Sequence, residues 1–231
     1  MDHETLLDDA LLLVEQNFYF LHAGAFFDAV SRQTDLSQHY DPRIYKKFDD
    51  SSAYLFNPAI IQEVMEDATQ IPPHQPTLFE YFVELNAIRG ICMALVEAVK
   101  LESPFREYMK QKLGRSFEDF IDIVSFVRNV LSHNIHAEIR LDEKDFKGTR
   151  ERILRMRRDP DVHFRLDYAM DLPEIGTPVE GYGFTCRVDF ASLEVGMPFL
   201  EIMPQSTLMK LGELCFNIVV GYRLSSKEET A

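Results

Sequence analysis

The sequence predicts a mainly α protein, a helical bundle with a small β-hairpin inserted before the C-terminal helix. Three observations predict it. Apolar residues recur at helical spacing over long stretches near 4–31, 78–100 and 116–133. Two short stretches, 162–168 and 185–190, alternate polar and apolar residues as strands do. The 231 residues are 46 % hydrophobic and 27 % charged, which suits one soluble domain with a sizeable core. The chain 1–231 therefore reads as a single domain, with a β-ribbon insertion at 160–203.

The elements follow in order. Leu6, Leu7, Leu11, Val14, Phe18, Leu21, Ala25, Phe26 and Ala29 give the first long helix its apolar stripe, and His22 lies on or near it as a structural histidine. A polar connector, 32–43, ends at Pro42. Residues 44–68 are expected to hold two short helices broken near Asn57-Pro58, with Asn57 as cap and Pro58 in a first turn. The run from Ile71 to Pro76 is a rigid extended linker. Thr77, with Glu80 in the capping-box position, starts the second long helix. Pro104 opens a short helix to about Lys112, and Gly114 stops it. Ser116, with Asp119 three residues on, is expected to cap the third long helix. Phe117, Phe120, Ile121, Ile123, Val124, Phe126, Val127, Val130 and Leu131 wrap most of that helix, which makes it central. Its polar exceptions form one stripe: Glu118, Asp122, Ser125, Asn129, Ser132 and His133. That stripe must line a cleft, an interface or a polar network. Residues 142–158 are charged and helical. The two strands are joined by a Pro/Gly-rich loop and must pack on the bundle, because a lone ribbon is marginal. Pro204 and Ser206 precede a last helix to about Leu224, whose Gly212 and Gly221 suit close helix contact. The tail is polar.

Composition bounds the function. The net charge of −14 repels nucleic acid at long range, so any such role needs a local basic patch. One segment supplies it: Lys147, Arg150, Arg152, Arg155, Arg157 and Arg158 stand against a single acid, Glu151. Lys147, Arg150, Arg155 and Arg158 are candidate phosphate-backbone contacts, and a solvated helix face paired with acidic neighbours is the competing reading. Eighteen Phe and no Trp predict a Phe-rich interior. Cys92, Cys186 and Cys215 are odd in number, far apart and without metal-ligand spacing, which suits a reducing compartment. The acidic N-terminus is no secretory signal, and no run of about 20 uncharged apolar residues follows. A cytoplasmic protein away from membranes is expected.

The polar residues on the third helix carry the chemistry. Arg128-Asn129-Val130-Leu131-Ser132-His133 resembles the signature of the HEPN superfamily, an Arg and a His four to six residues apart with Asn or another polar residue commonly after the Arg. The resemblance covers this motif and the helical pattern around it. It implies a HEPN-like antiparallel helix bundle, and with it a metal-independent endoribonuclease without cofactor, in the manner of a toxin or defence effector. It further implies a homodimer whose two motifs face a common groove, acting on RNA or a nucleotide and held in check by an antitoxin protein. Some HEPN toxins continue the motif as His, any residue, Tyr, where the Tyr is modified by a partner enzyme. Ile135 stands at that position here, so that mode of control is not expected.

The residue types fit the reaction. RNA carries its own nucleophile, the 2′-OH, and the resemblance implies a 2′,3′-cyclic phosphate product. Imidazole transfers protons near neutral pH, and guanidinium stays charged and grips phosphate oxygens. The candidate catalytic residues are thus His133 for proton transfer, Arg128 for phosphate charge and Asn129 for orientation. His136 is either a second acid or base or a surface histidine. On a regular helix Asn129 and His133 lie about 40° apart, but Arg128 and His133 roughly 140° apart. Either the long Arg reaches round, or the helix bends near Ser132, or two chains share the cleft. Two readings compete with the nuclease. One is a noncatalytic HEPN-like module that binds a nucleotide or a protein. The other is a structural network in which Arg128 pairs with Asp122, Glu84 or another buried acid, and His133 sits at a helix C-terminus favoured by the dipole.

Overall fold

The computed structural model describes residues 3–33, 45–47, 53–55, 59–60, 63, 66, 69–72, 78–101, 103–133, 138–170 and 179–228. The fold is mainly α with small two-stranded antiparallel sheets. The elements are α1 (His3–Gln33), β1 (Tyr45–Lys47), β2 (Ala53–Leu55), α2 (Leu78–Lys100), α3 (Pro104–Leu113), α4 (Phe117–His133), α5 (Glu143–Arg155), β3 (Asp161–Met170), β4 (Val179–Asp189), α6 (Phe199–Ile202) and α7 (Gln205–Glu228). No helix among the described residues is long and apolar enough to cross a membrane.

The chain divides into two compact units. The smaller, Tyr19–Leu85, contains the later part of α1, the β1–β2 hairpin and the first residues of α2. Within it, Arg32 donates to the carbonyls of Ile71 and Pro72, both at 3.1 Å. Two short helices were expected over 44–68. Tyr45–Lys47 instead pairs antiparallel with Ala53–Leu55, and helical residues begin only at Ala59. In sequence the two strands are separated by an Asp-Asp-Ser-Ser run, a turn-forming composition. Thr77 and most of the 71–76 linker lie outside the described residues, as do residues 134–137, including Ile135 and His136.

The larger unit, Met1–Phe18 with Asn86–Ala231, carries the main core. Leu11 and Val14 of α1, Ile88, Ile91, Cys92 and Leu95 of α2, and Leu211, Leu214, Cys215 and Ile218 of α7 are buried with the apolar residues of α4. Phe120, Ile123, Val124, Phe126, Val127 and Val130 have no exposed surface, so α4 is the central helix its composition predicts. Gly212 lets α7 approach α2, because a Cβ there would lie 2.6 Å from Ile88 Cδ1. α4 starts at Phe117, the residue after the expected cap. Gly114–Ser116 forms a 3₁₀ turn, so Ser116 belongs to that turn, and Gly114 ends α3 at φ 52°.

The ribbon pairs from Asp161↔Asp189 to Met170↔Val179, with a register shift between Tyr168 and Met170. It is longer than the alternating stretches suggest. Aromatic rings hold its inner end to α4. Phe120 meets Phe164 edge-on at 5.6 Å, and Phe126 meets Phe190 at 5.4 Å and Phe199 at 5.9 Å. This is the Phe-rich interior that the composition predicts.

Candidate functional site

α5 lies antiparallel along the polar stripe of α4, and that pairing builds the site. At one end, Arg152 and Arg158 reach the fully buried carboxylate of Asp122, with Arg158 Nη1 at 2.6 Å from Oδ2. Arg158 also pairs with Asp119, and Arg152 lies 3.9 Å from Glu118. At the other end, Asn129 and His133 meet the first turn of α5 at Asp145. The stripe thus lines an interface between helices, and its two ends differ. Ion pairs close the Asp122 end, whereas His133 keeps 38 % of its side-chain surface exposed at the other.

Asp145 is the residue that sequence reasoning missed. Asp142 caps α5, and Asp142 and Asp145 form a reciprocal capping box. In it, Asp145 Oδ2 accepts the Asp142 N–H at 2.8 Å. The segment before the cap is pinned to a neighbouring loop. Leu141 N–H donates to Met197 at 2.9 Å, Gly196 N–H to Leu141 at 2.8 Å, and Phe199 N–H to Ile139 at 2.9 Å. These bonds fix Asp145, whose side chain is fully buried, and aim Oδ1 at His133 Nδ1, 3.0 Å away. A carboxylate only accepts, so Nδ1 carries a proton, and in the neutral ring Nε2 keeps its lone pair. The pattern Asp142-x-x-Asp145 ahead of an apolar Phe146 was the available sequence signal. It marks a helix start, not a partner for a histidine twelve residues away.

Arg128 and His133 do not converge directly; Asn129 and Asp145 connect them. Arg128 donates through Nε and Nη2 to Asn129 Oδ1, at 3.1 and 2.7 Å. Asn129 Nδ2 donates in turn to the Asp145 carbonyl at 3.3 Å. The acid beside Arg128 is Glu97 of α2, 3.8 Å from Nη1, while Asp122 is taken by the α5 arginines. The arrangement is therefore Glu97–Arg128–Asn129–Asp145–His133. It presents a guanidinium and a carboxylate-held imidazole from the last two turns of one helix.

The four basic candidates on and after α5 have separate surroundings. Lys147 pairs with Glu143 at 3.0 Å, and that contact raises its ammonium above the ordinary value. Arg150 donates to the carbonyls of Phe190 at 2.6 Å and Leu193 at 2.5 Å, with its guanidinium 4.7 Å above the Phe146 ring. Arg158 is held by Asp119 and Asp122. Arg155 is exposed near the C-terminus of α5. His22 of α1 is exposed. The three cysteines are free and buried. Among the described residues no group of three His, Cys, Asp or Glu side chains is arranged to hold a metal ion.

No family model matches this chain, and no curated protein or solved structure matches it.

Proposed function

We propose that this chain is a metal-independent endoribonuclease of the HEPN type, acting as a homodimer. One observation carries the reading. His133 is half-exposed, its Nδ1 proton is held by the buried carboxylate of Asp145, and Arg128 and Asn129 stand beside it in the spacing that resembles the family motif. A neutral imidazole fixed in that tautomer offers Nε2 as a proton acceptor, which is what a general base requires.

The chemistry follows from those groups. Nε2 of His133 takes the proton of a ribose 2′-OH as the O2′–P bond forms. Arg128 binds the non-bridging oxygens, whose charge grows at the pentavalent phosphorus. The P–O5′ bond breaks, and the His133 of the second copy, in its protonated form, gives a proton to O5′. The products are a 2′,3′-cyclic phosphate and a 5′-hydroxyl. Asp145 stabilises the imidazolium formed on the base, as the carboxylate of a serine-protease triad does. Asn129 orients Arg128. An antitoxin or similar inhibitor that covers the exposed imidazole would silence the site.

The test is incubation of an oligoribonucleotide with wild type, His133→Ala and Arg128→Ala, with the product ends identified. His133→Ala is expected to slow cleavage by about 10²–10⁴-fold at nearly unchanged melting temperature, because proton transfer contributes that much and the ring is half-exposed. Wild type that leaves RNA as intact as the variant does would sink the reading.

A second reading has its own support. The Asp145 carboxylate also caps α5, and Glu97 lies against Arg128, so the same contacts serve a noncatalytic module that binds a nucleotide or a protein. Saturable nucleotide binding without turnover would favour it.

A further inference from the structure

Ser125, three residues before Arg128 on α4, lines a cavity of about 180 Å³ between the C-terminal part of α2, α3, the first half of α4 and Arg152 of α5. Lys100, Arg106 and Arg152 line it, with Ser125 and one acid, Glu118. Three cations and one carboxylate line it in a chain of net charge −14, with Arg152 also paired to Asp122 and Lys100 to Glu97 behind the lining. The remaining walls are apolar residues of α2 and α4, which keep the local dielectric low and strengthen attraction for an anion. Arg152 is anchored by Asp122 rather than swinging free. Ser125 precedes Arg128 by three residues, so both side chains lie on neighbouring turns of one face of α4.

Glu97 ties this cavity to the motif. Its Oε1 accepts from Lys100 Nζ at 2.7 Å and lies 3.8 Å from Arg128 Nη1, while the side chain keeps 59 % of its surface exposed. A single oxyanion already bridges the lysine of the cavity and the arginine of the motif. A phosphate group carries more charge than that carboxylate and has further oxygens to accept from the same two cations.

We propose that this cavity is a phosphate subsite adjoining Arg128, and that Glu97 is the resident carboxylate that an incoming phosphate displaces. The volume suits one phosphate group, since pockets that enclose whole ligands run to roughly 300–1,000 Å³. The bases and sugars of the ligand remain outside. The assignment of that phosphate to RNA or a nucleotide rests on the nuclease reading; the subsite itself rests on the cavity and on Glu97.

The experiment is calorimetric titration of the full chain with inorganic phosphate. Parallel arms use 2′-O-methyl oligoribonucleotides, which resist cleavage, with and without a 5′-phosphate. The double substitution Lys100→Gln with Arg106→Gln is expected to weaken phosphate-bearing ligands about tenfold, the scale of a lost charge-assisted hydrogen bond. Glu97→Gln is expected to strengthen them several-fold, with circular dichroism verifying the fold of each variant. Preference for the 5′-phosphorylated strand assigns the subsite to nucleic acid, and binding of inorganic phosphate alone assigns it to a free anion. An affinity that neither substitution moves, or no saturable binding in any arm, overturns the subsite. Cleavage by wild type and His133→Ala is scored separately, so a failed nuclease and a failed subsite give different results.

Discussion

Asp145 holds His133 and starts α5 with the same carboxylate, one oxygen for each task. Asp145→Asn separates the two tasks. The amide oxygen still caps the helix, but an NH₂ group facing Nδ1 demands the opposite tautomer and removes the lone pair from Nε2. Cleavage is expected to fall by roughly 10²–10⁴-fold, as in the corresponding triad variant. The loss in urea-unfolding stability should stay near 1 kcal/mol, the usual scale of a helix cap. A rate near wild type would show that Asp145 is only a cap. The buried thiols give a second residue-scale prediction. Burial raises Cys92 to about 12, against a smaller opposite pull from Arg128, and burial likewise raises Cys186 to about 12. Cys215 is raised by burial and by Cys92. A thiol that stays protonated in the fold but ionises near 8.5 in the unfolded chain stabilises the fold fully below that pH and loses its contribution as pH rises toward 12. Thiol reagents at pH 8 should therefore label the denatured protein and spare the native one. Alkaline unfolding should be less steep in a variant that replaces all three cysteines with Ala.

The pairing of α4 with α5 is the element that decides what the polar stripe does. Asp122 is fully buried and holds Arg152 of α5 and Arg158 just beyond it. Asp122→Ala removes the buried partner of both, leaving Arg158 with Asp119 and Arg152 with Glu118, and is expected to cost about 3 kcal/mol, the lower end for a broken buried pair. A chemical-denaturation midpoint unchanged by this substitution would mean that α5 is held by its apolar residues alone. The contact of α7 with α2 behaves differently. Gly212→Ala should cost little, since the Cβ crowds only the terminal Cδ1 of Ile88, with Ile91 Cδ1 at 3.5 Å in ordinary contact, and alanine favours the helix. Gly212→Leu should destabilise by about 1–3 kcal/mol through overpacking.

At the scale of the molecule, charge and assembly govern the proposed activity. A chain of net charge −14 draws no RNA by its average field, so attraction is confined to a few contacts. With Arg128 and the adjoining cavity as the two phosphate contacts, log K for a single strand should fall with log salt at a slope of about −1.4, from about −0.7 per phosphate. A much steeper slope would bring in the cations on and after α5, Lys147, Arg150, Arg155 and Arg158. The two-histidine mechanism also expects a dimer in sedimentation at the concentrations where cleavage is measured. A monomer that cleaves at full rate would remove the second His133 from the reaction.

The sequence by itself determined the long helices, the central position of α4, the stop at Gly114, the two alternating strands and the polar stripe with Asn129 and His133. Each of these is set by periodicity or local backbone chemistry, which neighbours in the chain can express. It misjudged 45–55, where six strand residues are too short a run for a period to declare itself. Only the tertiary structure decided that Asp145 faces His133, that Glu97 faces Arg128, and that Asp122 belongs to Arg152 and Arg158. Those pairs join residues 12 to 36 positions apart on different helices. Which carboxylate meets which cation depends on the packing of α4 against α2 and α5, and the spacing of residues along one helix carries no record of it.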